Sequence, residues 1–113
     1  MKHDPKVCLD DAIMACKNIK KFIADIDRDE FINDIKTQAA VERQFEILGE
    51  SFNRIKNIDQ KLLDKIDSWR EIIGFRNIIA HGYDVIEYEL VWETIKDDIP
   101  ILLRQLKDIS KNI

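Results

Sequence analysis

The residues that decide the fold are 41–55, which read VERQFEILGESFNRI. Apolar side chains recur there at steps of four, three, four and three residues, at Val41, Phe45, Leu48, Phe52 and Ile55. This period is typical of an α-helix that packs along one seam, and nothing in the stretch alternates with the period of two expected for a strand. The sequence therefore predicts a long helix that begins at Asp34 or Thr37 and ends near Lys56.

Upstream of this stretch, the sequence predicts one long helix and one short one. Asp4-Pro5 is a typical helix start, because Asp caps well and Pro lacks only an N–H that the first turn does not need. Helical spacing then continues through Cys8, Ala12, Ala15, Ile19, Phe22 and Ile26. Asp27-Arg28-Asp29 ends that pattern, and we expect a short helical turn at 30–33 to lead into the long helix.

Downstream, the same spacing predicts a third helix from Lys61 to Ala80. Its apolar positions are Leu62, Ile66, Trp69 and Ile73. Gly82 follows at the place where helices commonly end in a left-handed residue.

A fourth helix is predicted to begin near Ile86 or Glu87 and to run to the end of the sequence. Pro100 lies inside its apolar pattern, so we expect either a kink there or a break, with a restart capped by Asp97 or Asp98. The predicted fold class is all-α, an antiparallel helical bundle of four long helices plus a short one, forming a single domain over residues 1–113.

Composition supports this class and excludes others. The chain has only 3 Gly and 2 Pro, too few for the many turns of a sandwich or barrel. No apolar run approaches the ~20 residues of a membrane span, and the N-terminus has no apolar signal segment. We therefore expect a cytoplasmic protein with no membrane contact. Cys8 and Cys16 are expected to be reduced and buried, and no Cys/His spacing predicts a metal site.

The chemistry is concentrated in residues 76–83, which read RNIIAHGY. Arg76 continues the apolar seam of the third helix, where an arginine is costly unless it is paired or opens onto a cleft. One interpretation is structural: Arg76 pairs with Glu46 or Glu50 while its stem packs on the core. Similarly, His81 near a helix end can act as a complement to the helix dipole, and a tyrosine after Gly82 can simply pack.

The alternative interpretation is phosphodiester chemistry. The set Arg76, Asn77, His81 and Tyr83 combines a permanent cation, an amide, an imidazole and a phenol. Imidazole transfers protons near neutral pH, and guanidinium matches two phosphate oxygens. RNA supplies its own nucleophile, the 2′-OH, so such a site needs no metal. The net charge is −4, which argues against non-specific nucleic-acid binding, and DNA is not expected as a partner. Residues 36–83 carry eight basic and seven acidic side chains, so RNA contact is expected there.

The octapeptide closely resembles the R-x4-H-x-Y signature of HepT-like proteins of the HEPN superfamily. The resemblance extends to the flanks. Residues 36–41 and 46–50 resemble the family's long second helix, residues 69–74 resemble the segment that leads into the motif, and residues 91–100 resemble the final helix, Pro100 included. Nearly the whole chain is covered.

This resemblance implies an all-α HEPN-like fold and a homodimer whose two motifs meet at the interface, where residues of both subunits form a composite ribonuclease site. It implies a toxin whose partner is a minimal nucleotidyltransferase (MNT) antitoxin. Arg76 and His81 would be catalytic, with Asn77 a polar helper. Tyr83 would be the acceptor of AMP, which the antitoxin transfers from ATP. The toxin itself would need no cofactor.

Two functions of different class remain after this step. The first is an endoribonuclease toxin, favoured by the intact set of Arg76, His81 and Tyr83. The second is a non-catalytic substrate-binding or docking subunit of a two-component nucleotidyltransferase, favoured by the acidic balance of the chain. A docking subunit has no need of an imidazole beside an arginine, so the sequence favours the ribonuclease.

Overall fold

Six helices form the described part of the chain, which in this computed structural model comprises residues 4–81 and 86–113, the side chains of 76–81 excepted. They are α1 (Pro5–Phe22), α2 (Arg28–Ile32), α3 (Ile35–Leu63), α4 (Trp69–His81), α5 (Tyr88–Asp97) and α6 (Ile99–Lys111). The described residues include no strand, which confirms the all-α prediction. No helix among them is long and apolar enough to cross a membrane.

Local capping explains where the first two helices begin. The Asp4 carboxylate accepts the Lys6 backbone N–H at 2.9 Å, and Pro5 occupies the first helical position, as predicted. The short helix α2 begins at Arg28, two residues earlier than predicted. Asp27 sets this start through a capping box, in which its side chain accepts the Glu30 N–H and the Glu30 side chain accepts the Asp27 N–H.

The predicted seam of α3 is the centre of the core. All five of its apolar side chains are fully buried, as expected from their spacing: Val41, Phe45, Leu48, Phe52 and Ile55. Helix α1 packs on one side of α3, with the Asn18 side chain 3.2 Å from that of Gln44. Helix α4 packs on α3 as well, and α6 packs against α1. Helix α2 contacts both α3 and α5.

The third helix was predicted to begin at Lys61, and this boundary is wrong. Asp59 leaves the helical conformation (φ −159°, ψ 90°), and its carboxylate accepts the Lys61 N–H at 3.1 Å. A single turn of helix follows to Leu63, then a turn over 64–68, and α4 begins only at Trp69. Ile66, predicted to lie on the helix, is buried in that turn.

The fourth predicted helix is two helices, because the chain breaks before Pro100. Helix α5 ends at Asp97 and α6 restarts at Ile99, with Pro100 in the first turn, where its missing N–H removes no hydrogen bond. The break was predicted, but its capping was not predicted correctly. Asp98 stands at the N-cap of α6 with helical dihedral angles (φ −100°, ψ −37°), and its carboxylate makes no capping hydrogen bond.

Candidate functional site

Helix α4 carries most of the motif that the sequence singled out. Arg76, Asn77 and His81 all belong to this helix. Its last residue is His81, one residue beyond the predicted end at Ala80. Their side chains lie outside the described residues, as do Gly82 and Tyr83. The predicted pairing of Arg76 with Glu46 or Glu50 therefore also falls outside them.

The register of α4 fixes where position 76 stands relative to the core. Trp69 and Ile72 are 5% and 3% exposed, and Ile73 is half-buried. Position 76 follows Trp69 by seven residues and Ile72 by four, so it continues the helix face that packs on the core. The predicted seam ran through Ile73, whereas Ile72 is the more buried of the two residues.

The helical backbone also fixes the angle about the helix axis between positions 76 and 81. Positions 76 and 81 are five apart in a continuous helix, which separates their directions by about 140°. The two positions therefore lie on different faces of α4.

Two aromatic rings hold α4 against α3 immediately before the motif. Phe75 packs on the fully buried Phe45 with ring centroids 4.8 Å apart and planes inclined by 41°. This contact attaches the residue before the motif to the buried seam of α3.

A polar groove of about 330 Å³, the α1–α3 groove, is lined by residues of α1 and α3. Its lining residues are Asp11, Ile47, Ser51 and two ion-paired couples. Arg43 is 3.2 Å from Glu46, and Arg54 is 3.4 Å from Glu50. The two glutamates named from the sequence as candidate partners of Arg76 thus both line this groove.

A second polar contact lies at the return of the chain after the motif. The Tyr88 hydroxyl, at the first residue of α5, donates to Glu42 Oε1 on α3 at 3.3 Å. Burial raises the pKa of the Glu42 carboxyl, against the lowering effect of this hydrogen bond. Burial and the neighbouring carboxylate raise the pKa of Tyr88. Sequence reasoning missed this pair, because Tyr88 has the spacing of a core residue and nothing marks Glu42.

The described residues contain no group of three or more His, Cys, Asp or Glu side chains able to hold a metal ion. Cys8 and Cys16 are both buried and unpaired with each other, as expected. Burial raises the pKa of the Cys16 thiol to about 12, so it stays protonated and unreactive at neutral pH.

Comparison with known proteins identifies the family. The model of the HepT-like family, described as ribonuclease HepT-like, matches residues 12–109. The chain therefore belongs to the HepT-like ribonuclease family, and the resemblance inferred from the octapeptide and its flanks is confirmed. The match spans α2 to α5 completely and includes the whole motif.

Individual relatives cover almost the full length of the chain. A protein of Methanocaldococcus jannaschii, named as a candidate RNase, is 35% identical over 94% of this chain and 96% of its own. A protein of Thermococcus cleftensis, named as a candidate ribonuclease HepT, is 35% identical over 98% of this chain and 100% of its own. A candidate RNase of Caldanaerobacter subterraneus is 31% identical over 93% of each. No solved structure matches the chain with significance.

Proposed function

We propose that this protein is a metal-independent endoribonuclease toxin of a prokaryotic HEPN/MNT toxin–antitoxin system. The observation that carries the proposal is membership of the HepT-like ribonuclease family together with an intact Arg76–His81 pair on α4. The names of the relatives, which describe candidate RNases, support the same reaction class.

The proposed reaction is transesterification within the RNA. The ribose 2′-OH attacks the adjacent phosphorus, His81 accepts its proton, and Arg76 stabilises the charge that develops on the phosphorane oxygens. The P–O5′ bond then breaks, and the imidazolium of His81 returns the proton to the leaving 5′-oxygen. The products are a 2′,3′-cyclic phosphate and a 5′-OH end. Asn77 is assigned a supporting polar contact to the phosphate.

A dimer explains the relative directions of the two residues. With about 140° between positions 76 and 81 along one helix, a single α4 does not aim both side chains at one phosphate. A two-fold partner supplies its own α4, so that Arg76 of one subunit can meet the His81 position of the other.

The regulatory partner in this proposal is an MNT-type nucleotidyltransferase, which uses ATP and transfers AMP to Tyr83. The adduct places a negatively charged phosphodiester two residues from His81. That charge would pair with the guanidinium meant for substrate and repel incoming RNA. Tyr83→Phe removes the acceptor oxygen, so mass spectrometry after incubation with the transferase and ATP should show an AMP increment on wild type alone.

The decisive experiment for cleavage is a comparison of wild type, His81→Ala and Arg76→Lys on a defined RNA in the presence of EDTA. Wild type should generate 2′,3′-cyclic phosphate ends. His81→Ala should lose about 10²- to 10⁴-fold in rate. Arg76→Lys should retain little activity, because an ammonium cannot donate two parallel hydrogen bonds to the phosphate as a guanidinium does. Loss of wild-type cleavage in EDTA, or full activity of His81→Ala, would contradict this mechanism.

The non-catalytic alternative is favoured by one observation, the net charge of −4. It predicts that purified protein cleaves no RNA and that expression alone leaves host growth unchanged. The toxin hypothesis predicts that expression of this protein alone arrests host growth, and that growth recovers when the partner transferase is expressed with it.

A further inference from the structure

Two contacts to α3 bracket the motif. On the upstream side, Phe75 packs on Phe45 with ring centroids 4.8 Å apart, and Phe75 directly precedes the motif. On the downstream side, the Tyr88 hydroxyl donates to the Glu42 carboxylate at 3.3 Å, five residues after the motif ends. The motif is thus the stretch of chain between two attachment points.

Both attachment points belong to one turn of the same helix. Glu42 and Phe45 are three residues apart on α3, which is about 4.5 Å along the helix axis. Beyond Phe75, α4 runs six residues further to His81, which is about 9 Å. The next described helix begins at Tyr88, whose hydroxyl contacts Glu42 on that same turn of α3.

The hydroxyl contact and the ring packing of Tyr88 are separate interactions. The ring meets Phe31 edge to face, with centroids 6.2 Å apart and planes inclined by 76°. Phe31 is fully buried and also packs on Trp92, with centroids 5.5 Å apart. Removal of the hydroxyl therefore keeps the contact between the two rings and removes the hydrogen bond that links the first residue of α5 to α3.

We propose that Glu42 and Tyr88 are positioning residues of the cleavage site. Their hydrogen bond attaches the first residue of α5, which follows the motif in the chain, to the turn of α3 that also holds Phe75, the residue before the motif. This role rests on the proposed ribonuclease function. It adds to that function a pair of residues outside the R-x4-H-x-Y signature that acts on the rate of the chemical step rather than on RNA binding.

The test compares Tyr88→Phe with Gln44→Met in the full-length protein. Gln44 also makes a side-chain hydrogen bond from α3, but to Asn18 on α1, so it controls for loss of such a bond. In Tyr88→Phe we expect kcat to fall about 10-fold with KM within about twofold, because small misplacements of catalytic groups are costly. Gln44→Met should keep both constants within about twofold.

Two variants at Glu42 separate positioning from folding. Glu42→Gln keeps an acceptor for the Tyr88 hydroxyl and should retain kcat within about threefold. Glu42→Leu should match Tyr88→Phe, and the double variant Glu42→Leu/Tyr88→Phe should be no slower than either, because both remove one interaction. Additive losses in the double variant would overturn the pairing.

Amide hydrogen exchange gives a readout that needs no RNA. The first turn of α5, beginning at Tyr88, should exchange faster in Tyr88→Phe than in wild type, with α1 and α6 unchanged. Wild-type cleavage with an unaffected kcat in Tyr88→Phe would reject the positioning role alone. Absence of wild-type cleavage would reject the proposed function and this role with it, even where the exchange difference is found.

Discussion

Helices α3 and α4 pack on each other, yet they use the same apolar period differently. In α3, five successive seam positions are apolar and fully buried, from Val41 to Ile55. In α4, Trp69 and Ile72 begin such a seam, and the next position in phase is Arg76. Burying a guanidinium among apolar side chains is costly unless something pairs with it. The seam of α3 therefore serves the stability of the core, whereas the seam of α4 has a charged residue at a position where an apolar one would add to the core.

The largest expected effect tests whether the α4 site is completed by a second copy. Arg76→Ala and His81→Ala should each lose about 10²-fold or more of the RNA cleavage rate. When the two inactive proteins are mixed and allowed to exchange subunits, half of the dimers should contain one subunit of each variant. Each such dimer has one unsubstituted Arg76–His81 pair across the interface, where a wild-type dimer has two. About a quarter of wild-type activity should return. Mixtures that stay inactive after confirmed subunit exchange would show that each subunit carries its own site.

The second effect tests whether the seam of α3 is the centre of the core within one subunit. Phe45→Ala removes a fully buried ring and its contact with Phe75, and should lower the free energy of unfolding by about 3–5 kcal/mol. Ile35→Ala, at an 81% exposed position of the same helix, should change it by less than about 0.5 kcal/mol. Urea denaturation measures both. Mixing with wild-type subunits should not restore Phe45→Ala, in contrast to the α4 variants.

The same contrast explains what could be predicted from the sequence. The seam of α3 was predicted residue by residue, because an uninterrupted 4-3-4-3 period has one structural interpretation. The start of α4 was not. Leu62, Ile66 and Trp69 have helical spacing, but α3 ends at Leu63 and α4 begins at Trp69. Ile66 lies in the turn between the two helices and is buried there. Two local signals marked the break: Asp59 as a capping residue, and Ser68-Trp69-Arg70-Glu71, which has the Ser-x-x-Glu pattern of a helix start.

For the candidate site, residue types carried the prediction and spatial contacts did not. An arginine on an apolar seam and a histidine five residues later stand out in a sequence. The Glu42–Tyr88 contact joins positions 46 residues apart, and neither residue departs from its local pattern. This contact depends on how α2, α3 and α5 pack together. The spacing of apolar residues within one helix does not predict that packing.

A third effect concerns how α3 holds its neighbour α2. Gln38 is 5% exposed, and its amide donates to the backbone oxygens of Phe31 at 2.9 Å and Ile32 at 2.8 Å. Gln38→Met removes both of these hydrogen bonds; the Phe31 oxygen keeps the Asp34 backbone N–H at 3.2 Å, so the main loss is the donor to the Ile32 oxygen. The free energy of unfolding should fall by about 1–3 kcal/mol. Gln60→Met, at an exposed position of α3, is the matched control. Equal stability of the two variants would contradict a capping role for Gln38.

The smallest effect is a pH dependence at the start of α3. The Asp34 carboxylate accepts the Thr37 hydroxyl at 2.6 Å and the Thr37 N–H at 3.1 Å, and these bonds lower its pKa below the ordinary value of 3.8. Because the pKa is lower in the folded state, the stabilisation is fully present above the unfolded value and is lost as pH falls through the folded one. Asp34→Asn still caps the helix but does not titrate. The stability advantage of wild type over Asp34→Asn should therefore shrink as the pH of urea titrations is lowered below about 4. In a Thr37→Val background, which removes the hydroxyl, the advantage should depend less on pH; an advantage that grows toward acid would contradict the assignment.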